Sequence, residues 1–212
     1  MVKSFCFLFL SLFLLSCGKS TGGSSSSDTQ EMSDGSDISV DAQVPNLALT
    51  WDARIKFVDF STTQEKKVLD AVDLIKQVIA SEEFKNSILN HKYKGKKTFV
   101  DNDGLSNSQI YRKILESSEK LNLKKNNTMD VTLVTYRVSA NVIGYTLPSV
   151  NKIWMNTRYL NRFTPRQVAS NLIHEWLHKL GFKHDYERTP ERPYSVPYSV
   201  GYLVEKLAAK FD

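Results

Sequence analysis

Three of the chain's four histidines fall within eleven residues, His174-Glu175-Trp176-Leu177-His178-Lys179-Leu180-Gly181-Phe182-Lys183-His184. No other feature constrains the local fold as tightly. His174 and His178 are four apart, so on an α-helix they lie side by side on one face, about 6 Å apart along the axis. Val168, Leu172, Trp176 and Leu180 recur at the same interval and give that helix an apolar stripe for a core. Thr164 and Gln167 form a capping box at its start, with Pro165 suited to the first helical position. A straight helix would carry His184 away from the other two. Gly181 lies where a residue of positive φ stops a helix without a Cβ penalty, and a bend there returns His184 to its partners. Three imidazoles on one zinc ion leave a fourth position open, the pattern of catalytic rather than structural zinc.

Glu175 follows the first histidine on the same side of the helix, without pointing at the metal. A carboxylate there can take a proton from a water that zinc acidifies to a pKa of about 7, and can return it to a leaving amine. Peptide hydrolysis needs those roles together. Composition removes the competing chemistries. The two cysteines, Cys6 and Cys17, both lie in the first 17 residues, which leaves the body without disulfides, a cysteine nucleophile or Cys-ligated zinc. With 11% aromatic and 41% hydrophobic residues over 212 positions, the chain suits one folded domain with tails rather than a disordered polymer.

The pattern His174-Glu175-x-x-His178-x-x-Gly181-x-x-His184 resembles that of the metzincin clan of zinc metallopeptidases. The resemblance is specific over 174–184 and compatible from about 140 to 202. It implies Zn2+ as cofactor, His174, His178 and His184 as ligands, and Glu175 as general base and acid. It also implies an α+β fold: a twisted mixed sheet with packed helices, the zinc-site helix at a cleft, and a small C-terminal subdomain. In that clan an edge strand pairs with extended peptide or protein substrate, a part open here to Asn141 to Leu147 or to Lys152 to Asn156. One departure is plain. The clan sets a methionine in a tight turn beneath the metal, and no methionine follows Met155. Ser195-Val196-Pro197-Tyr198-Ser199-Val200-Gly201-Tyr202 stands in its place. A turn there would put Pro197 or Val200 under the metal and Tyr198 or Tyr202 near its open side, where a hydroxyl ligates zinc or stabilises an oxyanion. Asp185 is a candidate to orient the third ligand, a surface or capping role being the alternative.

The amino terminus reads as an address. Lys3 precedes an apolar run from Phe5 to Leu15 broken only by Ser11, too short to span a bilayer and suited to a secretory signal. Leu14-Leu15-Ser16-Cys17-Gly18 resembles a bacterial lipobox, which implies that Cys17 is acylated with chains such as palmitate. The expected organisation is a signal peptide over 1–16, a flexible Gly/Ser-rich tether over 17–43 and a metallopeptidase domain over 44–212. The protein is then a lipid-anchored zinc endopeptidase of the bacterial cell envelope, a monomer on the outer membrane or facing the periplasm or exterior. The alternative is a zinc-binding surface lipoprotein without catalysis, and Glu175 separates the two.

From Val44 onward 26 basic residues face 18 acidic ones, and Lys92-Tyr93-Lys94-Gly95-Lys96-Lys97 concentrates the excess. No nucleic-acid-binding signature accompanies it, so it reads as a solvated turn, with His91 exposed beside it. Asp101-Asn102-Asp103-Gly104 holds only half of a calcium loop and reads as a plain turn. Remaining expectations are strands at Trp51 to Phe60, Thr98 to Val100, Asp130 to Val138, Val142 to Leu147 and Lys152 to Asn156. Helices are expected after a Thr62/Glu65 capping box, with a stripe of Val68, Leu69, Val72, Ile75 and Ile79. Others should follow Ser81 and a Ser106/Gln109 box, the latter burying Ile110, Ile114, Leu115 and Leu121, and a closing helix runs from Leu203 to Phe211. Replacing Cys17 by Ser should release the protein from membranes into the soluble fraction, which fractionation and immunoblotting measure.

Overall fold

Four short strands and the helices laid across one of their faces position everything that follows. The computed structural model describes residues 44–212, with side chains from 47 onward. The signal, Cys17 and tether expectations lie outside the described residues. In chain order the elements are α1 (Val44–Leu49), β1 (Asp52–Val58), α2 (Thr62–Ile79), α3 (Glu82–Leu89), α4 (Asn107–Glu116), β2 (Thr128–Tyr136), β3 (Gly144–Thr146) and β4 (Lys152–Asn156). Then come α5 (Thr157–Leu160), α6 (Pro165–Leu180), a 3-10 turn (Arg192–Tyr194) and α7 (Val196–Ala208). None of these helices is long and apolar enough to cross a membrane.

The sheet runs β1-β2-β4-β3. β1 and β4 are both parallel to β2, whereas β3 is antiparallel to β4. This is the mixed sheet of an α+β fold. Parallel neighbours require crossovers, which α2 to α4 and the β2–β4 connection supply. Alternation along β2 sends Met129, Val131 and Leu133 to the helical side, where Ile153 and Met155 of β4 join them. Against that layer pack Val68, Ala71, Val72, Ile75, Val78 and Ile79 of α2 and Val168, Leu172, Trp176 and Leu180 of α6, all buried. Each such side chain contributes about 1.5–3 kcal/mol by leaving water. Trp176 is fully buried and meets Trp51 edge to face at 5.7 Å.

Several boundaries differ from the sequence expectation, each for a local reason. The α2 capping box is Ser61 with Gln64, because Ser61 keeps extended backbone while Thr62 is already helical. Leu69 is 49% exposed, since it sits about 100° round the helix from Val68. Thr98 to Val100 forms no strand, only one bridge from Val100 to Ser195. α4 ends at Glu116, where Ser117 turns left-handed at φ 52°, and Leu121 beyond it is exposed. His91 is not exposed: it stacks on Phe99 with ring centroids 3.9 Å apart. Both sides of β4 are taken by β2 and β3. That removes Lys152 to Asn156 as a free edge and leaves β3, three residues long, in that position.

The largest difference is at the C-terminal end. The expected turn over Ser195 to Tyr202 is the first part of α7. A proline in a first helical turn costs no hydrogen bond, and Val196, Val200, Val204 and Leu207 form a buried stripe against the core. Gly201 lets α7 approach α6. A Cβ there would meet the Ser170 carbonyl oxygen at 3.1 Å and the His174 Cβ at 3.5 Å. Alanine is ordinarily favoured over glycine inside a helix by about 1 kcal/mol, but a main-chain carbonyl cannot rotate away, and such overpacking costs about 1–3 kcal/mol. Gly201→Ala should therefore lower the urea midpoint of unfolding. A raised midpoint would mean that the two helices are not held this close.

Candidate metal centre

The site begins with how α6 starts and stops. Thr164 and Gln167 close a reciprocal capping box with Pro165 at the helix start. At the other end Gly181 takes φ 103°, and its N–H and that of Phe182 return to the carbonyls of His178 (3.0 Å) and Leu177 (3.1 Å). This left-handed stop reverses the chain. The buried Phe182 anchors the reversed segment, and its carbonyl accepts from His178 Nδ1 at 2.8 Å. His184 then comes back over the helix, its Nδ1 2.8 Å from the Asp185 carbonyl. The backbone of Pro197 in α7 acts on His174, favouring its protonated ring. Proline has no N–H, so the group that acts is its carbonyl.

His178 and His184 thus donate from Nδ1 to main-chain carbonyls, which leaves Nε2 of each as a bare lone pair. The Nε2 atoms of His174 and His184 are 3.3 Å apart, and the three residues offer ligand atoms that all lie within 4.8 Å of one another. Two imidazole nitrogens at that distance share either one proton or a common cation. Tetrahedral coordination with metal–nitrogen bonds of about 2.0–2.1 Å sets its nitrogens about 3.3–3.4 Å apart, so the donor set fits a metal ion. His174, His178 and His184 can hold one. Burial, reinforced by the neighbouring imidazoles, pushes His174 down to about 3. Burial pushes His178 to about 4 and lowers His184. All three are neutral near pH 7, the form a metal requires.

Glu175 is buried beside them, and no side chain or backbone group among the described residues hydrogen-bonds its carboxylate. Loss of water pushes it up to about 8, opposed by the charge of Lys179. Lys179 is itself only 4% exposed and is pulled down to about 8 by burial. Its Nζ donates to the carbonyls of Leu147 (2.8 Å) and Val150 (2.5 Å), which ties α6 to the β3–β4 connection. Glu119, also buried, accepts from the Trp176 indole at 2.8 Å and from the Asp130 N–H at 2.9 Å. Sequence reasoning missed Lys179 and Glu119. Nothing in their spacing distinguishes them from surface charges.

Of the two candidate tyrosines the fold brings in one. The Tyr198 ring lies 4.5 Å from His174 and 4.7 Å from His184. Tyr202 is 55% exposed and stacks only on Tyr198, at 5.9 Å. One helical turn separates them, and only the earlier reaches the imidazoles. The Pro197 carbonyl supports His174, while Val200 is buried in the core. Asp185 orients His184 through its backbone rather than its side chain, whose carboxylate accepts from the Thr189 hydroxyl at 3.1 Å. Arg192, also missed, donates to the Tyr198 hydroxyl and lies 4.7 Å over its ring.

Compared with known proteins, the chain matches no protein-family model and no curated protein sequence. The site therefore stands on its geometry. Replacing His184 by Ala removes one of three donors, so divalent-metal affinity should fall by at least the roughly 10–100-fold that loss of an outer-shell partner costs. Titration against a competing chelator measures it, and unchanged affinity would exclude the triad as the metal centre.

Proposed function

We propose that this protein is a zinc-dependent peptidase, tethered to the cell envelope through Cys17. The observation that carries the reading is the convergence of three imidazole nitrogens beside a buried carboxylate that accepts no hydrogen bond among the described residues. Soft thiolates are absent from the body of the chain, and a neutral three-imidazole set suits zinc. When bound, zinc polarises a carbonyl and acidifies water. The residues supply the rest. His174, His178 and His184 form a seat in which Nδ1 of the last two is held by carbonyls of the turn after Gly181. Glu175 accepts the proton of the attacking water on its carboxylate and delivers it to the leaving amine nitrogen. Burial raises its proton affinity toward neutrality, where a group can both take and return a proton.

Tyr198, held by Arg192 and lying against His174 and His184, would donate its hydroxyl to the oxygen that gains charge during attack. The outer side of β3 is a short sheet edge along which an extended peptide can add as a further strand. β3 follows α6 closely: a Cβ on Gly144 would come within 2.9 Å of Asn171 Oδ1. Lys179 holds the other end of the same strand through Leu147.

The test joins metal content to cleavage of a diverse peptide library. Purified protein should carry zinc near one equivalent and cut peptides internally. Glu175→Ala should keep the metal and lose about 10²–10⁴-fold in turnover. Equal turnover by that variant would end the role of Glu175 as base and acid, and no cleavage by the unaltered protein would leave a metal-binding lipoprotein.

A further inference from the structure

The loop after His184 carries a cation to the rim of the metal centre and leaves it without a counter-ion. Arg192 lays its guanidinium over Tyr198, and the Tyr198 ring in turn touches His174 and His184. Its hydrogen bonds run to neutral acceptors, from Nη1 to the Tyr186 carbonyl at 3.1 Å and from Nη2 to the Tyr198 hydroxyl. Its buried Nε has no partner. Neighbouring acids are engaged elsewhere. Glu191 turns to Lys94 at 3.4 Å and to the Tyr93 hydroxyl at 3.0 Å, and Asp185 turns to Thr189. Among the described residues no carboxylate pairs with Arg192, although eight ion pairs form elsewhere.

A half-buried guanidinium bonded only to neutral groups keeps its full attraction for an anion. Each Nη carries two N–H groups, so one donor remains on each after the bonds to Tyr186 and Tyr198. Arginine donors on neighbouring nitrogens can grip the two oxygens of a carboxylate as a fork. Glu175 and Asp101 supply at most two negative charges here, which a divalent ion would offset, leaving the charge of Arg192 over.

We propose that Arg192 holds a substrate carboxylate beside the bond to be cut, so that the site selects peptides bearing an acidic side chain or a free C-terminal carboxylate next to that bond. This rests on the peptidase reading above and names its substrate class. Tyr198 then serves twice, as a contact of the ligand histidines and as the surface that fixes the guanidinium plane.

Matched peptides test it: one sequence with Glu or Gln flanking the cleaved bond, and the same sequence ending in a free acid or an amide. A charge-assisted fork predicts a preference in kcat/KM of about tenfold to a hundredfold for the acid of one pair. Whichever pair shows it separates the side chain from the C-terminus. Arg192→Gln should bring the ratio close to one, with metal content unchanged as the check on folding. Arg192→Lys, which keeps the charge and loses the fork, should give an intermediate ratio and serves if the Gln variant does not fold. Calorimetric binding of the Glu and Gln peptides to zinc-loaded Glu175→Ala protein gives a readout without turnover, and the ratio should reappear there. If no peptide is cut but the binding preference holds, the peptidase reading fails and the carboxylate site stands. A ratio near one in the unaltered protein, or one that survives in Arg192→Gln, overturns the proposal.

Discussion

The reversal of the chain at Gly181 is the constraint on which the rest of the site depends. Helical spacing brings His174 and His178 together within α6 alone, but two imidazoles make only a weak seat for a metal. The third arrives because one residue accepts φ 103° and sends the chain back. The same reversal places the Phe182 carbonyl against His178 Nδ1. One backbone conformation thus delivers a ligand and orients another. A side chain at this position would oppose both, through the positive φ and through the Lys120 side chain that already fills the space.

The second support is α7. Its buried valine stripe and Gly201 draw it against α6, which sets the Pro197 carbonyl behind His174 and the Tyr198 ring against two imidazoles. Where a tight turn was expected, the first turn of α7 sets a backbone group and an aromatic ring against the histidines.

Buried charge around the site interacts without forming ion pairs. Lys179 feels the charges of Glu175 and Glu119 and spends its hydrogen bonds on the β3–β4 connection. Removing one member of such a set leaves the others uncompensated in low dielectric, which is why buried groups of this kind are costly to disturb singly. Trp176 adds a neutral link, its indole bonded to Glu119 and its ring packed on Trp51. The site helix is thereby fastened to the sheet edge and to the segment after α4.

What was legible in the sequence was local. The α6 capping box, the Gly181 stop, the four-residue stripe and the three histidines are all short-range patterns, because helix geometry converts spacing directly into direction. Strands were legible too, as alternation in β2 and as short runs near β3 and β4, whereas the mixed sheet of an α+β fold was expected only from the motif's resemblance. What only the tertiary structure decided were choices between equal local options. Tyr198 and Tyr202 look alike in sequence, yet the rotation of α7 on α6 turns one toward the metal seat and the other to solvent. Leu69 and Val68 are both apolar, and packing of α2 buries one. Glu119, Lys179 and Arg192 look like ordinary surface charges until distant segments close over or beside them. Spacing sets direction only along one element; which groups meet across elements depends on how the apolar faces pack, and the chain records that only in three dimensions.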